Sequence, residues 1–374
     1  MKKAPIIGVV GLGAMGLGIA QTYAQADFTV IATDGYEPAR LSAMHRLSEV
    51  LDARVAAGKM TAEIRDDTLG NFQIVAGLKE LNIADIIIEA IVENLDAKQK
   101  IFAELESFCA TDTVLATNTS SLSIASVMRC LQHPDRGVGL HFFNPAPVMK
   151  LVELVRHHST SVAALNQARQ VTEAAGKTVF LCSDTPGFIV NRCARPFYGE
   201  ALAMLEEGRN SADIDAAMVS TGYRMGPFSL IDLVGADINL AASQSIFSAM
   251  RQHPRYYVFD ALKRKVAVGQ LGRKSGRGFV YPEQIKQTTD ATIVLRIEAT
   301  LANEAASLIS ESGISEDSID AAMKLGLNFP RGPFESARRQ GLSRIKQTLT
   351  ALEHAAPAHL KGRYVLAPAL EKMT

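Results

Sequence analysis

The sequence predicts an α/β Rossmann-type domain followed by an all-α domain that carries a second, degenerate helical repeat. Three observations predict it. From residue 6 to residue 182, short apolar strands alternate with helical patterns, the signature of strand–helix–strand units. After Asp184-Thr185-Pro186-Gly187 the pattern is helical throughout, and the Pro-Gly turn reads as a domain boundary. The helical half then repeats itself. Glu200-Ala201 recurs as Glu304-Ala305, Ile214 to Met218 as Ile319 to Met323, and Gly226-Pro227-Phe228 as Gly332-Pro333-Phe334. The expected division is therefore 1–184, 185–282 and 291–374, with a polar linker from Pro282 to Thr289 before the last part.

Composition narrows the function. A chain of 374 residues can form two or three domains with a sizeable core. Lys plus Arg and Asp plus Glu are both 39, so no basic footprint marks a nucleic-acid partner. The cysteines Cys109, Cys130, Cys182 and Cys193 form no CxxC pair and no cluster with histidine. This argues against a metal site and reads as reduced thiols of the cytoplasm. Lys2 and Lys3 before an apolar stretch resemble a leader, but the glycines from Gly8 to Gly18 would break the helix a leader needs. No apolar run reaches the roughly 18 residues of a membrane span.

Taken in order, Ile6 to Val10 is a strand, Gly11-Leu12-Gly13-Ala14-Met15-Gly16 a glycine turn, Ala14 to Gln25 a helix, and Phe28 to Thr33 a strand closed by Asp34. Strand, G-x-G-x-x-G, helix, strand and acid together form a dinucleotide-binding fingerprint. The first glycine permits the turn, the second admits a pyrophosphate, and the third lets helix and strand approach. The helix N-terminus favours phosphate, and Asp34 favours NAD over NADP by meeting the ribose hydroxyls. The helix from Pro38 to Ala57 is rich in Arg and Lys, which suits a solvated face or an anionic ligand. Strands Phe72 to Val75 and Ala84 to Ile88 follow, the second leading into Glu89-Ala90-Ile91-Val92-Glu93-Asn94, then a helix from Leu95 to Phe108 with Lys98 on its first turn. Strand Thr113 to Ala116 ends in Thr117-Asn118-Thr119-Ser120-Ser121, which suits a polar site or the N-cap of a helix from Ser123 to Cys130.

Gly137 to Leu140 delivers His141 to a strand end, and Pro145 and Pro147 force an irregular turn. The strand Met149 to Val155 then carries Glu153 in an apolar context, where an unpaired carboxylate is costly. Pairing with His141 would fix the imidazole tautomer and make it a base. A satisfied core histidine beside an edge-strand charge accounts for the same residues. A helix from Ser161 to Ala175, a strand from Thr178 to Cys182 and a single long helix from the Pro-Gly turn to about Glu207 complete this part. Asn191 lies near the start of that helix, where it could equally bond the preceding turn.

With Gly11 to Gly16, Asn118 to Ser121, His141 to Glu153 and Asp184 to Arg192 in this order, residues 5 to 282 resemble the L-3-hydroxyacyl-CoA dehydrogenases. The H-F-F-N-P-x-x-x-M-x-L-V-E and D-x-x-G-F-x-x-N-R segments carry the likeness. The resemblance implies NAD as cofactor and an acyl-CoA as substrate. It implies His141 as the base for the 3-hydroxyl proton, Glu153 as its orienting partner, and Ser120 and Asn191 as contacts to substrate oxygens. Glu93, Lys98, Asn144 and Lys274 are implied near the cofactor, beside Gly11, Gly13, Ala14, Met15, Gly16 and Asp34. Oxidising an alcohol needs just such a base and a hydride acceptor.

Residues 291–374 lack a glycine motif and a second H-F-F-N-P, and Leu295 stands where Asn191 stood. A duplicated helical domain resembles the fatty-acid-oxidation multienzymes and the 3-hydroxyadipyl- and 3-hydroxybutyryl-CoA dehydrogenases. Arg195-Pro196-Phe197-Tyr198 and Leu271 to Gly276 look most like the phenylacetate branch. The tail is read as a substitute for a dimer partner, with further self-association left open. The competing readings are a non-catalytic NAD-binding member of the family and a β-hydroxyacid dehydrogenase acting on free acids.

Overall fold

The computed structural model describes residues 4–283 and 289–374. Lys2 and Lys3 and the middle of the expected linker, residues 284–288, lie outside them. The chain divides into two compact units, Met1–Thr185 and Pro186–Thr374, and both helical repeats fall in the second.

The first unit runs β1 (Ile7–Val10), α1 (Ala14–Ala24), β2 (Val30–Thr33), α2 (Glu37–Ala56), α3 (Ala62–Gly70), β3 (Phe72–Ile74), β4 (Ile86–Glu89), α4 (Leu95–Glu106), β5 (Val114–Thr117), α5 (Ile124–Met128), β6 (Gly137–Phe142), β7 (Leu151–Arg156), α6 (Val162–Ala174) and β8 (Thr178–Ser183). The sheet order is β3-β2-β1-β4-β5-β6-β7-β8. Strands β1 to β6 are parallel, β7 is antiparallel to β6, and β8 is parallel to β7. All four residues of each of β1, β2, β4 and β5 are buried, as expected for a sheet covered on both faces. The order reverses at β1, and the ends of β1, β4, β5 and β6 share one carboxyl edge, where open α/β sheets take their ligands.

The second unit comprises α7 (Val190–Cys193), α8 (Arg195–Glu206), α9 (Ser211–Ser220), α10 (Pro227–Val234), α11 (Ala236–Ala249), α12 (Asp260–Ala267), α13 (Ala291–Ser312), α14 (Glu316–Leu327), α15 (Pro333–Gln340), α16 (Leu342–Ala355) and α17 (Pro368–Lys372). The expected single helix to Glu207 is two helices that meet at Ala194. Pro196 is the cause, since it offers no N–H to the Arg192 carbonyl and its ring crowds that oxygen. In the second repeat Thr300 takes this place, and α13 runs unbroken for 22 residues. The expected helix from Ser123 to Cys130 is also shorter, Ile124–Met128, with Ser123 as its N-cap.

The two repeats meet through reciprocal contacts. Arg192 donates from Nε to Glu304 at 2.6 Å and from both terminal nitrogens to Glu311. Its repeat equivalent Arg296 donates from Nε to Glu200 at 2.5 Å and from both terminal nitrogens to Glu207. Tyr256 and Arg255 also engage Glu304, as Tyr364 and Arg363 engage Glu200. Each repeat thus gives its arginine to the other's glutamates, the pattern of a two-fold interface. Glu200 and Glu304 are wholly buried, which such networks of charge-assisted bonds make tolerable. The stripe Ile293, Leu295, Ile297, Leu301, Ala305 and Leu308 on α13 is buried as well.

Candidate active site

The glycine turn after β1 has the shape a pyrophosphate needs. Gly11 has φ +100°, and a Cβ there would lie 2.6 Å from the Ala90 carbonyl oxygen. A Cβ on Gly16 would meet the Gly11 carbonyl oxygen. Around Gly13, by contrast, nothing lies within 4 Å. The two outer glycines are needed for packing and the middle one leaves a surface open. Gly13 is the N-cap of α1, no side chain caps that helix, and no acidic residue occupies its first turn. Its N–H groups and dipole therefore suit an anion. Ala14 is exposed and Met15 half-buried beside them.

Beside this turn a cavity of about 570 Å³ is lined by Gly11, Gly13, Asp34, Arg40, Leu78 and Ile101, among others. Asp34 closes β2 and has a structural duty that the sequence did not signal. Its carboxylate accepts from the Leu12 N–H at 2.7 Å and the Tyr36 N–H at 2.8 Å. Arg46 of α2 donates to the Leu12 carbonyl at 2.8 Å, so part of that helix's basic content braces the glycine turn.

Along the edge, Glu89 ends the apolar run of β4 and is wholly buried. It accepts from Lys98 Nζ at 2.6 Å, the Ile91 N–H at 2.7 Å and the Thr117 hydroxyl at 2.7 Å. Lys98, itself buried, also lies 3.4 Å from Glu93. One oxygen of Glu93 accepts from the Thr119 hydroxyl at 2.6 Å, the Ser121 hydroxyl at 2.8 Å, the Ser120 N–H at 3.1 Å and the Ser121 N–H at 3.2 Å. Burial raises the Glu93 carboxyl pKa. The bonds from Thr119 and Ser121, the Lys98 charge and the Ser120 N–H outweigh it, so the group is held below its ordinary value. Sequence reasoning placed Glu93 and Lys98 near a cofactor but assigned no role to Glu89, although a lone acid closing Ile86-Ile87-Ile88 was the available signal.

His141 and Glu153 stand directly opposite in the antiparallel β6–β7 pair, so their side chains share one face. Nδ1 of His141 is 2.6 Å from Oε2 of Glu153, and both residues are buried. With the proton at Nδ1 held by the carboxylate, the ring lone pair is at Nε2. The Phe143 ring packs 4.5 Å from the imidazole, centroid to centroid. Asn118, at the end of β5, accepts from the Phe142 N–H at 2.8 Å and ties the two strand ends together. Ser120 and Asn144 are exposed beyond β5 and β6. Asp184, from the D-x-x-G-F-x-x-N-R segment, accepts from the Ser123 hydroxyl and from the N–H groups of Ile124 and Ala125, and so anchors α5.

Of the other expected residues, Asn191 lies on α7 and Lys274 near α11, both in the second unit. Lys274 pairs with Asp237 at 2.5 Å, and that bond holds the Asp237 carboxyl below its ordinary pKa.

Comparison with known proteins adds independent findings. Residues 6–185 match the NAD binding domain of 3-hydroxyacyl-CoA dehydrogenase. Residues 187–281 and 293–374 match the C-terminal domain of the same family. The 3-hydroxyadipyl-CoA dehydrogenase of Escherichia coli K12 is 32% identical over 95% of this chain and 94% of its own. The 3-hydroxybutyryl-CoA dehydrogenase of Mycobacterium tuberculosis H37Rv is 40% identical, with 96% of its length covered by 73% of this chain. A crystal structure of 3-hydroxybutyryl-CoA dehydrogenase from E. coli K12 superposes with a TM-score of 0.93 at 31% identity, covering 99% of this chain and 98% of that one. The open Gly13 surface, the uncapped α1 and the cavity at Asp34 fit the NAD that this family uses. The chain belongs to the 3-hydroxyacyl-CoA dehydrogenase family, NAD-dependent oxidoreductases.

Proposed function

We propose that the chain oxidises the 3-hydroxyl of a short or dicarboxylic L-3-hydroxyacyl-CoA, reversibly, with His141 as the general base. The observation that carries this reading is the buried His141–Glu153 pair at the carboxyl edge of the sheet. Nε2 of His141 takes the hydroxyl proton as the C3–H bond gives up its hydride. Glu153 orients the ring and stabilises the imidazolium that results. Ser120 bonds the reacting oxygen, and Asn191 is assigned to the thioester end of the substrate. The Glu93 cradle, itself tied to Glu89 through Lys98, sets the position of the Ser120 turn. When bound, NAD supplies the hydride acceptor. Gly11 to Gly16 would hold its pyrophosphate and Asp34 its adenosine ribose, with Glu93, Lys98, Asn144 and Lys274 serving the rest of the cofactor.

Residues 1–184 are read as the cofactor domain, 185–282 as the substrate domain and 291–374 as a repeat without catalytic residues. That repeat takes the place of a partner subunit, a reading supported by the reciprocal arginine–glutamate contacts. The four cysteines are free thiols, in keeping with a cytoplasmic enzyme. Among the described residues no helix is long and apolar enough to cross a membrane.

The test is the loss of reduced-nicotinamide absorbance when the chain is mixed with NADH and acetoacetyl-CoA. Turnover supports the assignment. NADH binding without turnover points to a non-catalytic family member, and turnover of free acetoacetate alone points to a free-acid dehydrogenase.

A further inference from the structure

Among the described residues of the second unit, every arginine that is not exposed has a carboxylate partner except Arg195. Arg192, Arg255, Arg296, Arg331 and Arg363 lie within ion-pair distance of Glu304, Glu311, Glu200, Glu207 or Glu298. Arg195, the first residue of α8, is held by neutral groups. Its Nε donates to the Asn191 carbonyl at 3.1 Å and Nη1 to the Ser243 hydroxyl at 3.2 Å, and the guanidinium sits 5.0 Å from the centre of the Tyr198 ring. Ser243 is fixed in turn by its bond to the Asn239 carbonyl. Burial lowers the Arg195 pKa from its ordinary value, with no carboxylate to counter it. A desolvated, oriented guanidinium without a counter-ion is a receptor for an anion, and its planar fork matches a carboxylate.

The repeat separates a structural from a ligand-directed purpose. Arg192 and Arg296, and Glu200 and Glu304, are both 104 residues apart, which places Arg195 against Ala299 and Asn191 against Leu295. The arginines and glutamates that join the repeats are kept in both copies. Arg195 occurs only in the copy that has Asn191. The two residues are neighbours across the α7–α8 junction, where Arg195 Nε reaches the Asn191 carbonyl. In a six-carbon dicarboxylic acyl chain the terminal carboxyl carbon lies five carbon–carbon bonds, each about 1.5 Å, beyond the thioester carbon to which Asn191 is assigned.

We propose that Arg195 determines specificity by binding the ω-carboxylate of a dicarboxylic 3-hydroxyacyl-CoA. This rests on the reading that the chain oxidises 3-hydroxyacyl-CoA substrates through Asn191 and His141. The experiment measures kcat/KM of the full chain with 3-hydroxyadipyl-CoA and with 3-hydroxyhexanoyl-CoA, which has the same length but a terminal methyl group. The parent chain favours the carboxylated substrate. Arg195→Gln lowers that ratio by on the order of 10- to 100-fold, the worth of one charge-assisted contact. Arg195→Lys lowers it less, because a point charge replaces the fork. Should Arg195→Gln fail to fold, Arg195→Lys decides, and an unchanged ratio in it overturns the proposal. A parent ratio near one, or an equal fall for both substrates in Arg195→Gln, likewise overturns it and leaves the dehydrogenase reading intact. A parent chain inactive on both substrates overturns the two together.

Discussion

His141 and Glu153 form a buried pair because antiparallel pairing sets them opposite, with Nδ1 2.6 Å from the carboxylate. His141→Ala is expected to lower kcat by about 10²–10⁴ with little change in NAD affinity, the usual worth of a positioned base. Steady-state turnover beside a direct NAD titration checks it, and near-normal turnover would sink the assignment. Glu153→Gln should cost less and move the low-pH limb of the rate profile. Asp34 is a compound case. Asp34→Ala should weaken NAD and narrow its advantage over NADP, because the carboxylate that repels a 2′-phosphate is gone. It also removes the acceptor for the Leu12 and Tyr36 N–H groups, so a lower Tm is expected with it. A parent chain that already uses both cofactors equally would refute the role given to Asp34.

The edge loops are positioned by elements that look unremarkable one at a time. Glu93 gathers four donors from Thr119, Ser120 and Ser121 and is steadied by Lys98. Since its folded pKa is depressed, the unfolded chain binds the extra proton as acid is added. The stabilisation is therefore complete above the unfolded value of 4.5 and is lost as pH falls through the lower folded value. Glu93→Gln should flatten that part of the acid limb in a plot of Tm against pH. An acid limb identical to the parent's would contradict the cradle. At the same scale, Pro196 splits α7 from α8 where Thr300 lets α13 continue. The proline was visible in the sequence, but apolar periodicity carried the expected helix straight through it.

At the scale of the whole molecule, the second repeat gives Glu304 and Glu311 to Arg192 of the first and takes Glu200 and Glu207 for its own Arg296. Truncation after Pro282 removes Glu304 and Glu311 and strands the buried Arg192, a loss of about 3–5 kcal/mol for a broken buried pair. A second truncated copy can supply Glu200 and Glu207 in their place, since these hold Arg296 in the same manner. The truncated chain should therefore self-associate or aggregate while still binding NAD. Light scattering and an NAD titration read both outcomes, and a soluble monomer of unchanged stability refutes the substitution.

Local chemistry was legible in the order of residues alone. The strand, glycine turn, helix and acid follow from steric rules that act within about 30 residues. The pairing of His141 with Glu153 could be anticipated because a hairpin-like turn joins their strands and an apolar strand cannot leave a carboxylate alone. The repeat, too, showed as recurring anchors. Tertiary structure decided what depends on distant partners. Glu89 takes its meaning from Lys98 and Thr117, and Asp34 from a backbone N–H 22 residues away. The exchange between Arg192 and Glu304 joins residues 112 apart. The lack of such a partner at Arg195 is equally invisible in the sequence. A charge shows its type there, but whether it is neutralised depends on which side chains the fold brings within a few ångströms.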